Sequence, residues 1–129
     1  MHVTGVSFPL VARNIEETYA FYTKKLLFRG GYFLPKDGIC AVALGPVCLT
    51  FRQGASPASR RQHINISIED VSAYRAQLQP HFADALPEVE LDIPGVLSFD
   101  ITDPSDIRLS FTQPGSHLRE PEHEFRRET

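Results

Sequence analysis

Isoleucine occupies positions 64, 66 and 68, and His63, Asn65 and Ser67 fill the places between. A period of two puts the isoleucines on the packed face of a β-strand and the polar row on the other. "VCLTFRQ" (47–53) has the same period, with Cys48, Thr50 and Arg52 opposite Val47, Leu49 and Phe51. So does "DIRLSFTQP" (106–114), where Arg108, Ser110 and Thr112 oppose Leu109 and Phe111. Further short strands are expected at "VTGVSFPLVA" (3–12), "GYFLP" (31–35), "ICAVAL" (39–44), "VELDIP" (89–94) and "VLSFDIT" (96–102). Pro9 donates no N–H, so it belongs at an edge, a bulge or a strand end.

Two segments change to helical spacing. Asn14 is an expected N-cap for "IEETYAFYTKKLLF" (15–28), with Glu16 and Glu17 at the positive end of the helix dipole. Ile15, Tyr19, Tyr22 and Leu26 form its packed stripe. Asp70 plays the same part for "VSAYRAQLQPHF" (71–82), which has to end or kink near Pro80. Strand, helix and three strands therefore appear twice, and the matched helix starts lie 56 positions apart, as in two stacked copies. The predicted organisation is one module over 1–53, a Gly/Ala/Ser/Pro-rich linker over 54–62, a second module over 63–114 and a charged tail over 115–129. That tail is a candidate contact for a partner protein.

Composition narrows the function. At 129 residues there is room for one domain or two small modules sharing a core. A formal charge of −3 and scattered arginine pairs (Arg60–Arg61, Arg126–Arg127) leave no footprint for nucleic acid. No apolar run approaches the roughly 20 residues needed to cross a bilayer, and no signal-peptide pattern is present. The expected setting is the cytoplasm, with Cys40 and Cys48 as reduced thiols. Those two cysteines have no neighbouring Cys or His at zinc spacing.

The doubled βαβββ order, "FYTKKLLF" in the first helix and "DPSDIRLSF" before the end resemble the vicinal oxygen chelate superfamily, which includes glyoxalases, extradiol dioxygenases and bleomycin resistance proteins. The resemblance spans residues 3–114 and is closest in layout to the bleomycin resistance type. It implies an α+β fold: two βαβββ modules forming a curved, open, mixed sheet, with helices on the convex face and a cleft on the concave one. It also implies four metal-ligand positions in the metal-dependent members. They fall on Ser7 and His63, seven positions ahead of Asn14 and Asp70, and on Thr50 and Ser110 in the last strand of each module. One imidazole and three neutral hydroxyls are a poor donor set for iron, nickel or zinc, with no carboxylate to offset the charge. No metal and no cofactor are therefore expected.

The cleft expected in its place holds Ser7, Thr50, Arg52, His63, Asn65, Ser67, Arg108 and Ser110 as ligand-binding candidates, with Ser98 and Asp100 adjoining. Hydroxyls, an amide and two arginines suit a polar small molecule such as a carboxylate, a phosphate or a glycosylated compound. The resemblance implies sequestration of an antibiotic or polar metabolite by a homodimer, without chemistry. The chain lacks tryptophan, so aromatic stacking would fall to Tyr32 and Phe33, with Phe8 a further candidate. The competing expectation is a glyoxalase-like lyase or isomerase, or a dioxygenase-like enzyme, acting through His63, with Asp100 as its acid–base partner. A third is a structural module that makes contacts through the tail.

Overall fold

A single amide side chain joins the two halves at their open edges. Gln62 accepts the N–H of Val11 (3.0 Å) and donates to its C=O (3.0 Å). Val11 lies in β1 (Val6–Ala12), and Gln62 directly precedes β5 (His63–Ser67). Backbone direction alternates along a strand, so Pro9, two residues earlier, turns toward the same open edge, where its missing N–H leaves no ladder bond unmade.

The computed structural model describes residues 2–55, 61–83, 85–92 and 95–115. The first half holds β1, α1 (Ile15–Ala20), β2 (Arg29–Leu34), β3 (Ile39–Leu44) and β4 (Val47–Gln53). The second holds β5, α2 (Val71–Leu78), β6 (Glu90–Asp92), β7 (Val96–Thr102) and β8 (Arg108–Gln113). Each half makes a four-stranded mixed sheet, ordered β1-β4-β3-β2 and β5-β8-β7-β6, in which only the first and last strands of the half pair parallel. This is the expected α+β architecture. Most of the predicted linker (56–60) and nearly all of the charged tail (116–129) lie outside the described residues.

The two helix starts are built alike. Asn14 accepts the N–H of Glu17 (2.9 Å) and Asp70 that of Ala73 (3.0 Å), as cap residues do. The glutamine that ends each module's last strand completes the cap: Gln53 accepts the Ile15 N–H and Gln113 the Val71 N–H. The first helix is shorter than its apolar spacing predicts. After Ala20 the chain widens into a π-turn over Phe21–Lys25, where the Leu26 N–H reaches the Phe21 carbonyl five residues back. Leu27 follows in the left-handed region, with φ +60°. Pro80 limits α2 as expected, in a 3-10 turn over Gln79–His81.

One apolar core serves both halves. Ile15, Tyr22, Leu26, Leu49 and Phe51 meet Ile64, Val71, Leu78, Leu109 and Phe111 in it, and each helix lies on its own sheet. Polar bonds cross the seam: Tyr22 donates to Asp103 (2.8 Å), Tyr74 to the Leu26 carbonyl (2.7 Å), and the Arg13 N–H to Ser105 (2.9 Å). The face of each sheet away from its helix is left open. No helix among the described residues is long and apolar enough to cross a membrane.

Candidate functional site

The alternation of "HINIS" holds as read: Ile64 and Ile66 are buried, and His63, Asn65 and Ser67 are exposed on the open face. Parallel pairing sets His63 beside Arg108, Asn65 beside Ser110 and Ser67 beside Thr112. Antiparallel pairing adds Asp100 opposite Ser110 and Ser98 opposite Thr112. Local periodicity thus collects a polar row from three strands.

These side chains are already engaged with one another. His63 Nε2 lies 2.8 Å from Ser110 Oγ, which explains how that hydroxyl is buried on an otherwise polar face. Thr112 donates to Asn65 (3.1 Å). Arg108 holds Asp100 through both Nε and an NH2 group. Burial pulls the Asp100 carboxyl upward, but the Arg108 guanidinium, the Ser110 hydroxyl and the nearby His63 outweigh it, and its pKa ends below the usual value. Asp100 is therefore an anion at neutral pH, committed to Arg108, with no proton to donate.

A groove of about 510 Å³ runs over this face, lined by Asn65, Asp100, Arg108 and Ser110 together with Glu88 and Glu90. His63 is outside the groove's lining but bonds its Ser110, and Ser67 stands on the same strand face, also outside the lining. Glu88 and Glu90 were not foreseen. The alternation Glu88, Glu90 in "EVELDIP" carries the signal, since Glu90 pairs with Ser98.

Ser7, Thr50 and Arg52 occupy the open face of the first half, in two neighbouring hollows. One, of about 450 Å³, takes in Ser7, Cys48, Arg29 and Tyr32; the other, of about 400 Å³, takes in Thr50, Arg52, Pro9 and Tyr32. Each of these three hollows is lined by one half of the chain alone. Of the three rings considered for stacking, Tyr32 faces the open side. Phe33 stacks on Tyr19 at 4.6 Å on the helix side, and Phe8 packs against the core.

The four positions that the resemblance implies as metal ligands are divided between the halves and are engaged elsewhere. His63 and Ser110 bond each other, Thr50 turns to the Phe8 carbonyl (3.3 Å), and Ser7 lies in a different hollow. The nearest carboxylate, Asp100, is taken by Arg108. Among the described residues, no three of His, Cys, Asp and Glu converge.

Comparison with solved structures identifies the architecture. A bleomycin-binding protein from Streptomyces verticillus, complexed with copper(II)-bleomycin, superposes with TM-score 0.70 at 18% identity, covering 86% of this chain and 96% of that one. This chain has the glyoxalase/bleomycin resistance fold. A glyoxalase/bleomycin resistance protein/dioxygenase from Alicyclobacillus acidocaldarius gives 0.69 at 17% identity, covering 88% and 93%. A lactoylglutathione lyase from Agrobacterium tumefaciens gives 0.65 at 17%, covering 84% and 91%. No family model matches the sequence, and no curated protein does. Binders and enzymes thus share this fold, and the choice between them rests on the chain's own residues.

Proposed function

We propose that the chain is a metal-free small-molecule-binding protein, acting as a homodimer in which the open face of the first half of one copy closes over that of the second half of another. The observation that carries this reading is the division of the polar residues. Ser7, Thr50 and Arg52 line hollows of one half, and Asn65, Arg108 and Ser110 line the groove of the other. A groove open along one side buries little of a ligand, whereas a second wall gives it the enclosure that small-molecule sites need. Sequestration, as of an antibiotic or polar metabolite, follows from binding without chemistry.

The second reading, a glyoxalase-like or dioxygenase-like enzyme working through His63, draws on the bond between His63 and Ser110. It is the weaker one, because Asp100 orients Arg108 rather than the imidazole.

Light scattering combined with a thermal-shift screen of antibiotics and polar metabolites tests the proposal. A dimer stabilised by a ligand whose effect falls in both Ser110→Ala and Arg52→Gln is the expected result. A monomer at every concentration, or a ligand indifferent to both substitutions, would overturn it. Stoichiometric iron, nickel, manganese or zinc in purified protein, lost in His63→Ala, would favour the enzyme.

A further inference from the structure

A bulge in β2 decides what the first half offers a ligand. Gly30 pairs with Val42 and Phe33 with Cys40, so Gly31 and Tyr32 together stand opposite Ala41. The extra residue reverses the phase of the strand. Phe33, which strict alternation would turn to the open face, goes under the helix against Tyr19, and Tyr32 is released to the open side. Tyr32 is 46% exposed, and its ring is in contact with no other ring among the described residues. It borders both hollows, over a floor of small side chains that includes Ala41, Ala43 and Cys48.

The charge of this face is one-sided. Arg29 lines one hollow and Arg52 the other, and no carboxylate lines either. Arg61, Arg75 and Arg108 are held by Asp106, Glu88 and Asp100, whereas Arg29 and Arg52 have no ion-pair partner among the described residues. The groove of the second half is the opposite case: Glu88, Glu90 and Asp100 line it, and its one guanidinium is spent on Asp100.

We infer that the open face of the first half is a subsite for a flat aromatic anion, stacked on Tyr32 and paired with the guanidinium of Arg29 or Arg52. An unpartnered guanidinium beside an exposed ring supplies a charge-assisted hydrogen bond and a stacking plane together. This deepens the small-molecule-binding reading and rests on it: the subsite names the chemistry of one part of the ligand.

Isothermal titration of the full chain with 2-naphthoate, 2-naphthalenemethanol and 2-naphthylmethylammonium separates charge from shape. The anion should bind about tenfold tighter than the neutral alcohol, the usual scale for one charge-assisted bond, and the cation weakest. The double variant Arg29→Gln/Arg52→Gln should erase the preference for the anion, and Arg29→Lys/Arg52→Lys should restore most of it. Tyr32→Leu should weaken all three probes. Equal affinity for the three probes, or a preference for the anion that survives the double glutamine variant, overturns the subsite. Binding lost in Ser110→Ala but not in these variants also overturns it, yet leaves the small-molecule-binding reading standing. Loss in none of the variants removes both.

Discussion

The hydroxyl of Tyr22, in the first half, donates a 2.8 Å hydrogen bond to the carboxylate of Asp103, in the second. Both side chains are buried, and the other oxygen of Asp103 accepts the N–H groups of Ser105 and Ile107 at 2.8 Å each. The turn before β8 is thus both closed on itself and fastened to the π-turn that follows α1. Tyr22→Phe leaves one carboxylate oxygen without its donor in a buried place and should cost about 1–3 kcal/mol. A drop of that size in urea-unfolding stability, with the fold unchanged by circular dichroism, is the expected result.

Asp103 also sets a pH dependence. Burial raises its pKa above the ordinary carboxylate value, more than its hydrogen bonds lower it. The folded state therefore holds the proton more tightly than the unfolded chain. Its contribution to stability is full below the unfolded pKa, about 3.9, and is lost as pH rises through the higher folded value. Asp103→Asn keeps an acceptor for the two backbone N–H groups and has no charge to bury. Subtracting its stability–pH curve from that of the wild type should leave a wild-type excess that declines as pH rises from about 4. Parallel curves would refute the assignment.

Leu27 sits at φ +60°, where a branched side chain meets the backbone, and it is 39% exposed. Asparagine tolerates that conformation, so Leu27→Asn should raise stability by roughly 0.5–1 kcal/mol. Gly38 is the converse, with φ +68° in the turn between β2 and β3. Gly38→Ala should lower stability by about 1 kcal/mol. Thermal midpoints that move in opposite directions check both.

Gln62 bonds both backbone groups of Val11. Gln62→Ala opens the edge of β1 at that point and should cost about 1–2 kcal/mol, because two weak net bonds are replaced by water. The local reading is sharper than the global one. Amide exchange at Val11 should accelerate well beyond that at Leu49 or Phe51 in the strand beside it, and uniform acceleration across the sheet would count against a local role.

What could be read from the sequence was whatever short-range periodicity controls. Ile64 and Ile66 against His63 and Asn65, Leu109 and Phe111 against Arg108 and Ser110, and the caps Asn14 and Asp70 all depend on neighbours in the chain. The doubled order of elements then carried the fold. Three features escaped. The bulge exchanges the faces of Tyr32 and Phe33; the glycines of "RGGYFL" permit a bulge, but only pairing with β3 fixes where the residue is added. The helix after Asn14 widens at Phe21, although its apolar spacing runs on to Leu26. The groove's charge also differs from the sequence expectation of an available Arg108, because the cross-strand register delivers that guanidinium to Asp100. Each is set by partners far along the chain.

Asp100 and Asp103, three positions apart, should respond to acid in opposite senses. The pKa of Asp100 lies below its ordinary value, since Arg108, Ser110 and His63 outweigh its burial. Its contribution is present above the unfolded pKa and is lost as pH falls through the lower folded value. Arg108 and Asp100 are both substantially exposed, so water screens the pair and its removal should cost at most about 1 kcal/mol. The functional effect should be larger than the structural one. Asp100→Asn takes away the anion that occupies the guanidinium and leaves Arg108 beside Ser110, Asn65 and the groove. Sulfate or phosphate should then stabilise the variant more than the wild type in a thermal-shift titration, and added sodium chloride should weaken the difference. Equal anion responses in the two proteins would mean that Asp100 is not what withholds Arg108 from ligands.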